Sequence, residues 1–180
     1  MYHVTMIDMK LHLAQRFFVS EHYSGVVITD IDMTVLLWNL SGEICGYQVY
    51  NPNNPKKASV PREAKYFTHV TEGKDAVWGL ETVSWNRELL FVTEGIFDAA
   101  RLHSFGIPAI AVLGNNPSHL SSWLSTLSCK TIAAVQGDKA GLMLALSTNE
   151  AVFLHEGKDV GDLAAEEFDT IFLPYSLSSI

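Results

Sequence analysis

Leu89-Leu90-Phe91-Val92-Thr93-Glu94-Gly95-Ile96-Phe97-Asp98-Ala99-Ala100-Arg101-Leu102, running on through Gly106 to Ala109-Ile110-Ala111-Val112-Leu113, is the stretch that sets the fold class. Leu89–Thr93 is an unbroken apolar and β-branched run, as expected of a strand buried on both faces. Ile96–Phe105 has helical spacing and stops at Gly106, and Ala109–Leu113 reads as a second buried strand. Strand, helix, strand in such short pieces is the unit of a parallel sheet, because parallel neighbours need a crossover between them.

Working outward, the alternation continues downstream. A helix is predicted from about Pro117 to Leu127, with Asn116 as cap and Pro117 in the first turn. Thr131–Val135 and Ala151–Leu154 read as strands, Ala140–Ser147 and Val160–Phe168 as helices. Upstream the pattern differs. Residues 6–24 look helical through Met6, Met9, Leu13, Phe17 and Phe18, with a stop at Gly25. Val26–Thr29, Thr34–Leu40 and Glu43–Tyr50 read as strands, the last two joined by a hairpin at Ser41-Gly42. Asn51 to Pro61 holds three prolines and three asparagines and is a loop. The expected architecture is α/β: an amino-terminal α+β subdomain, mostly β, over residues 1–86, a parallel sheet flanked by helices over 87–170, and a tail over 171–180.

The composition fits one compact globule. Of 180 residues, 48% are hydrophobic and 18% charged, which excludes disorder. No apolar run approaches the ~20 residues of a membrane span, and Met1–Asp8 has no secretory pattern. Cys45 and Cys129 are far apart, which excludes a cysteine-based zinc module and points to a reducing cytoplasm. The histidines show no HxxxH or HxH spacing, so zinc is not expected; His103 and His119 are assigned to helix surfaces, and Trp38, Trp78, Trp85 and Trp123 to the core or a subdomain interface. Twenty acidic against twelve basic residues give a net charge of −8, so nucleic-acid binding by bulk electrostatics is excluded and any such role needs a local patch or a metal.

Ligands of open parallel sheets collect at the carboxyl ends of the strands. Reading just past each strand gives Glu94-Gly95 with Asp98 one turn on, Gly114-Asn115-Asn116, Gln136-Gly137-Asp138-Lys139-Ala140-Gly141, and His155-Glu156-Gly157-Lys158-Asp159 with Asp162 beyond. Carboxylates and glycines thus recur at one sheet edge. Oxygen ligands of this kind suit Mg²⁺ or Mn²⁺, which takes one or two carboxylates plus phosphate oxygens.

The string Val92–Leu102 followed by Gly106–Gly114 resembles the first half of a TOPRIM domain, the catalytic fold of bacterial and phage-type primases, topoisomerases and some nucleases. Gln136–Gly141 is similar to the second TOPRIM motif, Asp-x-Asp followed by Ala-Gly, and Glu156–Leu163 to the Gly-Lys-Asp-x-x-Asp segment further along primase TOPRIM domains. Leu37–Tyr47 resembles the primase hairpin that precedes TOPRIM, and Lys65-Tyr66-Phe67-Thr68 and Val77-Trp78-Gly79-Leu80 resemble two short primase signatures. The resemblance covers about residues 35 to 167.

The resemblance implies a Rossmann-like TOPRIM sheet preceded by a primase-like subdomain, and a DNA-replication nucleotidyltransferase that makes short RNA primers on single-stranded DNA from nucleoside triphosphates. It implies Glu94, Asp98 and Asp138 as catalytic residues. Glu94, Asp98, Asp138, Asp159 and Asp162 would hold Mg²⁺ or Mn²⁺. Lys56, Lys57, Arg62, Lys65, Lys139 and Lys158 would contact nucleotide or nucleic acid. Gln136 departs from the pattern: its neutral carbonyl is a weaker Mg²⁺ ligand than the aspartate it replaces. The arginine that often follows the primase hairpin is also missing, with Val49-Tyr50 in its place. Nothing in the chain reads as a zinc-binding template domain or a helicase phosphate loop. The expectation is a catalytic core almost alone, of phage-type economy, whose template grip comes from the 56–65 cluster or from a helicase or other replication partner. Two further readings stay open: a catalytically degenerate TOPRIM module that binds nucleic acid or protein in replication or phage–host defence, and a metal-dependent nuclease.

Overall fold

The computed structural model describes residues 7–72, 75–84, 86–113, 117–155 and 157–176. Met6, Trp85, the strand end Gly114–Asn116, Glu156 and residues 177–180 of the expected tail lie outside the described residues. The chain begins with α1 (Met9–Gln15), β1 (Val27–Ile28), β2 (Met33–Trp38), β3 (Ile44–Tyr50) and β4 (Tyr66–Val70). It continues with β5 (Leu89–Thr93), α2 (Ile96–Ser104), β6 (Ala109–Ala111) and α3 (Ser121–Thr126). The last elements are β7 (Lys130–Gln136), α4 (Lys139–Ala145), β8 (Glu150–Leu154) and α5 (Ala165–Ser176). The four amino-terminal strands form an antiparallel sheet in the order β1-β2-β3-β4, and the later four a parallel sheet in the order β6-β5-β7-β8. The α/β class is therefore as the alternation indicates. Among the described residues no helix is long and apolar enough to cross a membrane.

Side-chain period explains the layers. In β2 Met33, Val35 and Leu37 are buried while Thr34, Leu36 and Trp38 are half-buried, as expected of a sheet with one face on the core. β5 is central and buried throughout. Its Leu89 and Phe91 join a core with Phe168 and Phe172 of α5, while Leu90 and Val92 face Leu120, Leu124 and Leu144 on the other side. The first of these cores runs on without a break into Met33, Val35, Leu37 and Tyr50 of the antiparallel sheet and Met9 and Leu13 of α1. The segment Val77-Trp78 stitches the sheets together. Trp38 and Val77 exchange two backbone hydrogen bonds at 2.9 Å, and Trp78 does the same with Ala111 of β6 at 2.9 and 3.0 Å. Gly79, at φ +85°, then turns the chain away through the left-handed region.

Three expectations about the elements need correction. The helix predicted over 6–24 ends at Gln15. Phe18 N–H donates to Leu13 O and Phe17 N–H to Ala14 O, both at 3.0 Å, with Phe17 at φ +60°, the bonding of a helix closed through a left-handed residue. A bulky residue there costs ~1–2 kcal/mol. Burying Phe18 against Tyr23, Trp78 and Phe97 (ring centres 5.0, 5.9 and 6.0 Å) returns about 1.5–3 kcal/mol, so the tertiary contact wins over the helical pattern. Second, Val160–Phe168 is not one helix. The Asp159 carboxylate accepts from Asp162 N–H at 3.1 Å and closes a 3₁₀ turn over Val160–Asp162, Leu163 is extended, and the Glu167 carboxylate accepts from Ala164 N–H at 2.9 Å to start α5. Third, the segment from 171 is no tail through Ser176: it is the end of α5, and Phe172 is fully buried there. His103 also differs from its assignment to a helix surface. It bonds the Ala109 carbonyl at 2.8 Å and the Tyr23 hydroxyl at 3.1 Å, and burial lowers its pKa. Trp78 is buried, as expected of an interface residue, and Cys45 and Cys129 are not joined in a disulfide.

Candidate functional site

A cavity of about 1090 Å³ lies between the carboxyl edge of the parallel sheet and the core-facing side of the antiparallel one. Glu94, Asp98, Asp138 and Asp159 line it, each delivered by a different local device. Glu94 follows β5 directly, and its backbone carbonyl accepts from Leu113 N–H at 3.0 Å, which ties the ends of neighbouring strands. Asp98 lies in the first turn of α2. Glycine at position 95 leaves the Asp98 carboxyl its room, since a Cβ there would stand 2.9 Å from Asp98 Oδ2 and make it shift. Asp138 caps α4, its Oδ1 accepting from Gly141 N–H at 2.8 Å. Gly141 is constrained far more: a Cβ would stand 2.0 Å from the Gln136 backbone carbonyl oxygen. Asp159 opens the turn after β8, and Gln136 also lines the cavity.

These carboxyls perturb one another. Burial raises the Glu94 pKa, and the Asp138 and Asp159 charges raise it further. Glu94 Oε1 is buried and has no hydrogen-bond partner among the described residues. Asp98, 8% exposed, is pushed up to about 8, first by burial and then by Asp159. Asp98 and Asp159 share a hydrogen bond, and Asp98 Oδ1 also accepts from Gly161 N–H at 2.9 Å. Near neutral pH this pair therefore retains a proton.

Facing the acids is a cation that the sequence reading missed. Arg16, at the close of α1, lies over the Phe97 ring at 3.8 Å and donates to the Tyr50 and Tyr66 hydroxyls at 3.2 and 3.3 Å. It lines the cavity, and among the described residues no carboxylate lies within ion-pair distance of it. Its bonding partners are 34 and 50 residues away, so no local pattern marks it. Lys56, Lys57 and Lys139 line the cavity as well.

Other expected site residues are not among its lining. Arg62 stacks over Phe67 at 5.4 Å, on the side of the antiparallel sheet turned away from the core. Lys65 Nζ stands 5.9 Å over the Tyr50 ring. Lys158, expected on a triphosphate, donates instead to both Glu167 oxygens at 2.6 and 2.8 Å. Asp162 is exposed, and its backbone serves the turn.

Among the described residues no three histidine, cysteine or carboxylate side chains converge on one point. The orphaned Glu94 oxygen beside Asp138 nevertheless fits a cation that takes one or two protein carboxylates and completes its shell with phosphate oxygens and water. Gln136 can add a carbonyl oxygen.

No protein-family model matches the chain, and no curated protein matches it in sequence. Solved structures do. The E. coli primase catalytic core is 19% identical with a TM-score of 0.62, over 94% of this chain and 61% of that one. The DnaG primase catalytic domain bound to ssDNA is 19% identical with a TM-score of 0.59, over 95% and 59%. The Aquifex aeolicus primase, comprising zinc-binding and RNA polymerase domains, is 22% identical with a TM-score of 0.59, over 83% and 40%. The chain thus spans 40% to 61% of the lengths of these structures, and the likeness shows a primase-type fold.

Proposed function

We propose that the chain is a primase-type nucleotidyltransferase that joins ribonucleotides on single-stranded DNA in this cavity. The observation that carries the reading is the polarity of the cavity: Glu94 and Asp138 on one wall, Arg16, Lys56 and Lys57 also reaching it, within a primase-type fold. The cations suit triphosphate oxygens, Arg16 through a guanidinium held rigid by two hydroxyls and a ring. Glu94, whose pKa is raised by burial and by the Asp138 and Asp159 charges, is a stronger base than a free carboxylate and can take the proton of an attacking 3′-hydroxyl. Glu94 and Asp138 would hold Mg²⁺ or Mn²⁺, which supplies charge stabilisation at the attacking and leaving oxygens. With a net charge of −8, template grip must be local, at Lys56 and Lys57, or come from a replication partner such as a helicase.

The test is incubation with single-stranded DNA, labelled ribonucleotides and Mg²⁺ or Mn²⁺, beside Glu94→Ala. Short labelled products are expected from the wild type and at least ~10²-fold fewer from the variant. No products, together with no Mn²⁺ binding by calorimetry, overturns catalysis. Gln136 favours a second reading, a degenerate binding module; there Glu94→Ala leaves single-stranded DNA capture intact, while charge reversal at Lys56 or Lys57 abolishes it.

A further inference from the structure

We propose that Arg101 is the positioning residue of this cavity: it holds the turn after β8 against α2 and so sets the Asp159 carboxylate beside Asp98. The proposal rests on the carboxylate site read above. Arg101 is only 2% exposed and its guanidinium lies between the Phe17 and Phe168 rings, at 4.5 and 4.8 Å. A buried guanidinium ordinarily needs a carboxylate partner. Among the described residues none lies within ion-pair distance of this one. The two protons of its Nη1 are instead shared among three carbonyls of one turn, Val160 at 3.0 Å, Gly161 at 3.1 Å and Leu163 at 2.6 Å.

The opposite ends of two of those peptides face the acids, while the third, Ala164 N–H, donates to Glu167. Gly161 N–H donates to Asp98 Oδ1 at 2.9 Å and Asp162 N–H to Asp159 Oδ1 at 3.1 Å. The turn thus lies between a fixed cation at its carbonyls and two carboxyls at its N–H groups, with its dipoles aligned to both. The fit is tight, since a Cβ at Gly161 would stand 3.2 Å from Asp159 Oδ1 and 3.6 Å from Asp98 Oδ1. Arg101 does not line the cavity, so it acts on the site only through this turn. Without it the Val160, Gly161 and Leu163 carbonyls, the first and last of them in buried bonds, lose this donor, the turn must rotate toward water, and Asp159 leaves Asp98.

The experiment compares carboxyl ¹³C resonances at pH 7 in the wild type, Arg101→Met and Arg101→Lys, with Mn²⁺ calorimetry on the same full-length proteins. Arg101→Met is expected to move the Asp98 and Asp159 resonances, leave that of Asp138 in place, and weaken Mn²⁺ binding about tenfold, as loss of an outer-shell support does. Arg101→Lys should restore most of both, because an ammonium carries three protons for three carbonyls. Unmoved Asp98 and Asp159 resonances in Arg101→Met, or a lysine variant as perturbed as the methionine one, overturns the proposal. If Arg101→Met does not fold, Arg101→Gln, with one amide donor group, takes its place in the same comparison. A wild type that binds no Mn²⁺ counts against the metal site itself, and the resonances still decide the role of Arg101.

Discussion

A carboxyl at position 98 has to be buried against a second one because α2 and the turn after β8 meet there. The physical consequence is a proton held by the fold. Unfolded aspartate titrates near ~3.9, whereas burial and Asp159 push Asp98 up to about 8. The folded state binds this proton more tightly than the unfolded chain, so the stabilisation is complete below pH ~4 and is lost as pH climbs through the folded value. Thermal unfolding of the metal-free protein should therefore show a lower Tm at pH 9 than at pH 6. In Asp98→Asn, whose amide can still accept from Gly161 and donate to Asp159, that difference should shrink. An unchanged pH dependence in the variant would assign the effect elsewhere. Gly95 and Gly141 belong to the same scale: each leaves room for one polar group of the site, Asp98 Oδ2 and the Gln136 carbonyl.

Elements were legible where their reasons are local. β5 has its predicted bounds, Leu89–Thr93, because a central strand with both faces covered is an unbroken apolar run. α2 ends beside Gly106, at φ +72°. α1 and α5 were misread because their ends are set by distant partners. Phe18 leaves the helical path to reach Trp78 and Phe97, and α5 is separated from the preceding turn by two carboxylate caps, those of Asp159 and Glu167. α5 covers β5, with Phe172 and Phe91 ring centres 5.5 Å apart. Phe172→Ala should destabilise the protein by about 3–5 kcal/mol in denaturant unfolding, as expected of an emptied core site. A loss below 1 kcal/mol would show that α5 is not part of the cooperative unit.

For the whole molecule, the cavity exists because two sheets share one core and the Val77-Trp78 stitch fixes their spacing. It gathers acids from the parallel sheet, Arg16 from α1 and Lys56 and Lys57 from the loop after β3. If the two lysines hold a single strand, Lys56→Ala/Lys57→Ala should weaken single-stranded DNA binding and flatten its log–log salt dependence by about 1.4, at ~0.7 per lost phosphate contact. An unchanged slope, measured by fluorescence anisotropy across salt, would place the nucleic acid elsewhere. The sequence by itself determined the parallel α/β half and the strand ends at which Glu94, Asp138 and Asp159 stand, because hydrophobic period and caps are properties of neighbouring residues. Only the tertiary structure decided that Arg16 faces the acids, that Lys158 is taken by Glu167, and that Arg101 clamps Val160, Gly161 and Leu163. Arg16 and Arg101 find their hydrogen-bond partners 34 to 62 residues away, and Lys158, though only nine residues from Glu167, meets it only where the turn after β8 folds back on the start of α5.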